Sequence, residues 1–127
     1  MTNIKQVISI VVIISIVVII DIIVGNNTKN VVNEMNTLLD NIDNMLANNE
    51  DASSKVDEIV DEWDKKGKIL SYYMEHDEIE KIESNILLIQ KQIQIESFDD
   101  ARESITETQF LFAHIEQKQI LNLENFF

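Results

Sequence analysis

Cysteine and proline are absent from these 127 residues, and glycine occurs only twice. Without cysteine there is no disulfide, zinc-thiolate site, cysteine nucleophile or lipoprotein anchor; stability must come from packing, and the compartment stays open. So few turn-forming residues argue against an all-β fold and favour an all-α one, in a chain with room for one folded domain. Catalytic signatures are missing as well: there is no His-Glu-x-x-His, no nucleophile elbow, no phosphate-binding glycine loop and no calcium-loop pattern. Basic charge is also scarce. Ten Lys and Arg stand against 23 Asp and Glu, a net charge of −13. All of it falls on residues 26–127, because Lys5 and Asp21 cancel within the first 25. A region this acidic is repelled by phosphate backbones and anionic lipid headgroups alike, which argues against a nucleic-acid partner. No cofactor is called for.

What the chain does have is a long apolar run. VISIVVIISIVVIIDIIV, residues 7–24, holds one charge and, with Ile4 in front, reaches the ~20 apolar residues of a bilayer-spanning helix. Valine and isoleucine favour strands in water, but a lone strand in lipid leaves its backbone unpaired, whereas a helix does not. A cleaved signal peptide has a shorter apolar core, ~7–15 residues, with small residues before the cut. Here a cut after Gly25 would put bulky Ile23 at the −3 position, so residues 1–25 are expected to form an uncleaved transmembrane anchor. Lys5 and the amino terminus place the short side in the cytoplasm by the positive-inside tendency. The expectation is therefore a single-pass protein of the cell membrane with an extracytoplasmic carboxyl-terminal domain. Asp21 is either a polar contact to a partner membrane helix or a marker of the outer interface. The second is preferred, since Ile4 to Ile20 already spans the minimum length and ionisable groups near helix ends snorkel. Asn26-Asn27-Thr28 matches a glycosylation pattern, but it lies against the membrane in a chain of bacterial composition, and is discounted.

Residues 26–127 read as an acidic helical bundle, with helices near 28–49, 54–76, 78–96 and 98–118 and a short carboxyl-terminal tail. The first stripe is Val31, Met35, Leu38, Ile42, Met45, and it continues the anchor helix outward. Ser54 is the expected cap of the second, whose stripe is Val56, Val60, Trp63, Gly67, Leu70, Met74. The third is Ile79, Ile82, Ile86, Ile89, Ile93, and the fourth Phe98, Ala101, Ile105, Thr108, Phe112, Ile115, capped by Ser97. These stripes keep the 3.5-residue spacing of coiled-coil-like packing. Short links between them imply antiparallel neighbours, with segments two, three and four running up, down and up.

Trp63 is read as a core aromatic in preference to a ligand platform, and Gly67 as the place where a helix or the Trp63 ring approaches closely. Lys65, Lys66 and Lys68 each follow an acid by four residues, Asp61, Glu62 and Asp64, so this basic patch is expected to be a neutralised, solvated face. The phase of the second stripe slips at Glu75-His76-Asp77-Glu78. A helix boundary explains it, with Glu75 and His76 closing one helix and Asp77, paired with Glu80, capping the next. An antiparallel bundle also brings this corner to the end of segment four. There His76 and His114, with Glu75, Asp77, Glu78 and Glu116, have the chemistry to ligate Zn²⁺, Mn²⁺ or Fe²⁺ or to make a pH-sensitive contact. The Glu-x-x-His pair of di-iron bundles is missing, with Tyr73 and Leu111 at the glutamate positions.

WDKKGKILSYYMEHDEIEKI and FDDARESITETQFLFAHIEQKQILNLENFF, following one anchor, resemble a family of short single-anchor helical bacterial proteins of unknown function, typical of Gram-positive endospore-forming anaerobes. Trp63, His76 with Glu78, and Asn125 with Phe126 carry the resemblance. It implies architecture, membrane localisation and a multi-pass membrane protein as companion, and it brings no activity. The expected function is that of a membrane-anchored, non-enzymatic interaction or accessory protein. Self-association through the first segment and metal or pH sensing through His76 and His114 are the alternatives. The closing ILNLENFF either docks a partner or, as preferred, folds back over the bundle.

Overall fold

The computed structural model describes residues 3–126, with side chains through residue 121. It contains four helices: α1 (Ile4–Ala47), α2 (Ser53–Leu70), α3 (His76–Gln94) and α4 (Phe98–Phe126). No strand occurs among the described residues. α1 is unbroken, ~66 Å long at 1.5 Å per residue, and its two halves have different surroundings. From Ile4 to Ile23 its large apolar residues stand exposed, half-buried Val18 apart, and the most apolar 18-residue window holds no buried residue. This is one helix long and apolar enough to cross a membrane. Ser9 and Ser15 turn their hydroxyls back to the carbonyls of Lys5 and Val11, at 2.9 and 2.8 Å. That satisfies both groups without water.

From Thr28 to Leu46, α1 is instead one wall of a bundle. Each helix packs on its neighbours in sequence, and α4 closes the ring against α1. The four expected segments thus form one four-walled bundle, in which the outer half of α1 packs beside the up-down-up α2, α3 and α4. Core residues follow the stripes, with one change of phase in α1: Leu39 and Leu46 are buried, while their neighbours Leu38 and Met45 are only partly so. In α2, Ile59 takes the inward place expected of Val60. All five isoleucines of the α3 stripe are buried, as are Ala101, Ile105, Thr108, Phe112 and Ile115 in α4. Phe98 is not, because it opens α4 at the rim. Gly67 has Trp63 against it: a Cβ there would come 3.0 Å from Trp63 Cε2. The indole meets Phe112 edge-on, with centroids 5.7 Å apart and planes at 74°, a favoured arrangement for aromatic quadrupoles.

The turns differ from expectation. α1 and α3 each end in a Schellman motif: Glu50 and Asn49 donate backbone N–H to the carbonyls of Met45 and Leu46, and Ser97 and Glu96 to those of Gln92 and Ile93. Asn49 and Glu96 supply the required left-handed residue, at φ 56° and 59°. Ser54 does not cap α2. Asp51 precedes that helix and accepts from the Ser53 backbone and hydroxyl at 3.0 and 2.7 Å. The Ser53 hydroxyl, then its backbone N–H, hold the Asp51 carboxyl below the usual range. Asp77 does not cap α3 either, for the helix already starts at His76 with extended Glu75 in the cap position. α2 ends early, at Leu70, so Glu75 and His76 open the third helix and do not close the second. The Ser97 hydroxyl donates to Asp100 Oδ2 at 2.6 Å, just before α4. Of the three lysine pairs only Lys66 with Glu62, at 3.3 Å, is an ion pair among the described residues. Lys66 also bonds Glu34 on α1, and that contact before any other holds its ammonium above the ordinary lysine range.

Candidate functional site

α2 runs toward the apolar half of α1, α3 away from it and α4 back again. The α2–α3 corner and the later turns of α4 therefore share the bundle end that faces the span. Leu70 is fully buried, and turns bring the next residues over α1. Tyr73 accepts a hydrogen bond from Asn27 Nδ2 at 2.9 Å and lies 3.0 Å from Thr28 Oγ1. Thr28 is buried and donates to the Val24 carbonyl at 2.8 Å. The glycosylation-like Asn-Asn-Thr run thus ties the corner to the point where α1 leaves its apolar stretch.

Beside it lies a charged cluster. Lys118 Nζ is 2.8 Å from Glu75 Oε1 and 3.2 Å from Glu78 Oε1, and His114 Nε2 is 3.4 Å from the same Glu78 oxygen. The Lys118 hydrogen bond holds the Glu75 carboxyl below the usual carboxylate range. In return Glu75, then Glu78, hold the Lys118 ammonium above the ordinary lysine range. His76 stands apart, exposed, with its Nε2 3.5 Å from Glu80 on its own helix. The bundle therefore brings Glu75, Glu78 and His114 together around Lys118, while His76 faces Glu80. Among the described residues, no three histidine or acidic side chains are arranged to hold a metal ion. The cluster can exchange protons through His114 and Glu78, and its centre is a lysine, which competes with a cation for the same carboxylates.

Lys118 and Tyr73 are the residues that sequence reasoning missed. Lys118 lies one turn after His114, a spacing that puts both on one face of a helix, but its acidic partners are 40 and 43 residues away in sequence. Tyr73 falls outside the apolar stripe and reaches α1 only because α2 stops at Leu70. Two of the surface depressions involve residues of this corner. An open groove of about 660 Å³ between α3 and α4 is lined by Asp77, Lys81, Asn85, Glu107 and exposed Phe110. A smaller crevice of about 190 Å³ lies among Tyr73, Glu78, Ile115 and Lys118.

Asp21 is half-buried, and its Oδ2 is buried without a hydrogen-bond partner among the described residues. The expected short tail is replaced by helix: α4 continues to Phe126, with Ile120 and Leu121 exposed, and does not fold back over the bundle. Asn125, Phe126, Phe127 and Leu123 lie outside the residues whose side chains are described.

A domain of unknown function, DUF4363, matches residues 22–126, which is most of the chain. The chain belongs to the DUF4363 family. The matched region of this family begins immediately after Asp21, takes in the whole bundle and includes α4 to its last residue. The resemblance carried by Trp63, His76 and Glu78 accordingly leads to an uncharacterised family. Comparison with curated proteins and with solved structures gives no match.

Proposed function

We propose that this protein is a membrane-anchored, non-enzymatic interaction or accessory protein. It is single-pass in the cell membrane, with the amino terminus in the cytoplasm and the bundle outside. The observation that carries the reading is the continuity of α1, whose exposed apolar half runs without a break into a wall of the bundle. One rigid helix then fixes the bundle at a set height over the bilayer, a geometry suited to contacting a partner in the same membrane. A multi-pass membrane protein is the partner class proposed. Self-association through the first segment is less favoured, because its apolar stripe is buried against α2 and α4. Affinity purification of full-length protein from native membranes in mild detergent, with bound proteins identified by mass spectrometry, tests this. A multi-pass protein recovered reproducibly supports the reading, and recovery of the bundle alone in repeated trials rejects it.

The 3.4 Å approach of His114 to Glu78 supports a second reading, a pH-sensitive contact, since it is an ion pair only when the histidine is protonated. In that case the affinity of the purified complex depends on pH, and His114→Gln abolishes the dependence.

A further inference from the structure

α4 is longer than the bundle needs. Its last buried core residue is Ile115, yet the helix runs on to Phe126, ~16 Å further at 1.5 Å per residue. Arg102 meets Asp43 at 2.8 Å and Gln109 meets Asp40 at 2.7 Å, so α4 descends antiparallel along α1. Carried on at that register, its final turns pass Thr28 and come level with Asp21. The burial pattern of α1 agrees: Val18, Asp21, Val24 and Gly25 are half-buried, while the rest of residues 4–25 is exposed, and their three- and four-residue steps lead to Thr28. At this level two large apolar residues of α4 are uncovered, Ile120 at 50% and Leu121 at 51% exposure. On the adjoining corner Tyr72 is 88% exposed, next to the tyrosine bonded to Asn27 and Thr28.

We infer that the last turns of α4, through Ile120 and Leu121, together with Tyr72, form a second membrane contact that lies in the headgroup layer beside the span and seats the bundle end-on against the bilayer. The inference rests on the anchor reading above. The occupant is lipid because these residues continue the apolar surface of α1 at the height where its bilayer-facing stretch ends. Tyrosine is a residue of that layer, its ring apolar and its hydroxyl wet. Residues 119–123, Gln-Ile-Leu-Asn-Leu, carry no charge between Glu116 and Glu124, and the nearby Glu75 and Glu78 are paired with Lys118, so a neutral headgroup layer fits this end better than an anionic one. Insertion is apolar, so it needs no anionic headgroup.

The absence of cysteine makes the test clean. Val12→Cys at the middle of the span, Ile120→Cys and Leu121→Cys on α4, and Glu50→Cys at the far turn are each spin-labelled in the full-length protein. After reconstitution in phosphatidylcholine vesicles, accessibility to oxygen is compared with accessibility to a water-soluble nickel chelate, and helicity is checked by circular dichroism. The expected order of depth is Val12 deepest, Ile120 and Leu121 at the headgroups, Glu50 in water. Labels at 120 and 121 as open to nickel as the one at 50 would overturn the second contact while leaving the anchor intact. A nickel-accessible label at 12 would overturn the anchor reading itself, and the inference with it. Depth seen only when phosphatidylglycerol is added would also overturn it, as would spin–spin broadening at 121 that disappears on dilution with unlabelled protein, the sign of a second copy.

Discussion

The two ends of the bundle are closed by different means. Far from the span, the chain turns on its own backbone: two Schellman motifs end α1 and α3, and Ala52, Val56, Ile93 and Ala101 fill the core below them. Facing the span, aromatic and charged side chains do the closing. Trp63 and Phe112 pack edge-on, Tyr73 reaches Asn27 and Thr28, and Lys118 bridges Glu75 and Glu78. The difference is one of range. The far turns need only the right few residues in a row, with Arg102 to Asp43 as the long-range contact beside them. The corner facing the apolar half of α1 is instead held by groups forty or more residues apart and forms only once the bundle has assembled. An end built from long-range polar contacts is also the end that substitutions can loosen without unfolding the rest, which suits a surface that adapts to a membrane or a partner.

Deleting the aromatic core tests this contrast most strongly. Phe112 is fully buried and is the edge partner of Trp63, so Phe112→Ala should destabilise the bundle by about 3–5 kcal/mol in detergent-solubilised full-length protein. Denaturant unfolding followed by circular dichroism measures it, and a near-wild-type midpoint would show that this half of the core is not packed as described. Gly67→Ala comes next. Alanine gains about 1 kcal/mol of helix propensity, but its Cβ would press on Trp63, which is 4% exposed and wedged against Phe112. The crowding should win, for a net loss of about 1–3 kcal/mol. With Trp63→Leu in the background the same substitution should become stabilising. A double-mutant cycle without that reversal would mean the ring is not what forbids a side chain at 67.

Two single changes then set one end against the other. Tyr73→Phe keeps the ring and removes the hydroxyl that Asn27 and Thr28 share, a loss of about 1 kcal/mol. Its signature is local: amide exchange should quicken around residues 27–28 and 71–75 and stay unchanged at 48–50. Glu96→Gly at the opposite end should stabilise by about 1 kcal/mol, because glutamate holds φ 59° there, a left-handed conformation that disfavours any residue with a Cβ. Unchanged stability would mean that the turn relaxes without the left-handed residue.

These contrasts also explain what was readable in the sequence. The α3 stripe was legible because its five isoleucines keep one unbroken 3-4-3-4 spacing, which outweighs exposed Leu87 and Leu88 between Ile86 and Ile89. In α1 the pairs Leu38-Leu39 and Met45-Leu46 offer two apolar residues for each inward place, and only the packed neighbours choose between them. The caps expected at Ser54 and Asp77, and the roles of Glu75 and His76, were misplaced by a few residues, since several capping side chains sit close together at each boundary and the backbone uses one or none. The long apolar helix was legible from composition alone. Lys118 and Tyr73 were not, because the partners that give them meaning are distant in sequence.

The smallest effect is the pH response of the cluster, and it tests whether the span-facing end is assembled at all. Glu75 is held below its ordinary value of 4.5, first by the hydrogen bond from Lys118. A depressed carboxylate contributes stability that is present above its unfolded value and lost as pH falls through the folded one. Lys118, held above its ordinary 10.5, contributes below that value and loses its contribution as pH rises through the folded one. The bridge is therefore complete between these limits and opens at either extreme. Because Glu75 is largely exposed, its share of the stability is small. The sensitive readout is thus the Glu75 side-chain carboxyl carbon in an NMR titration. Its midpoint should lie below 4.5 and return toward that value in Lys118→Ala. A Glu75 midpoint that ignores the loss of Lys118 would mean that α4 does not meet the corner, and that the end of the bundle facing the apolar half of α1 is open.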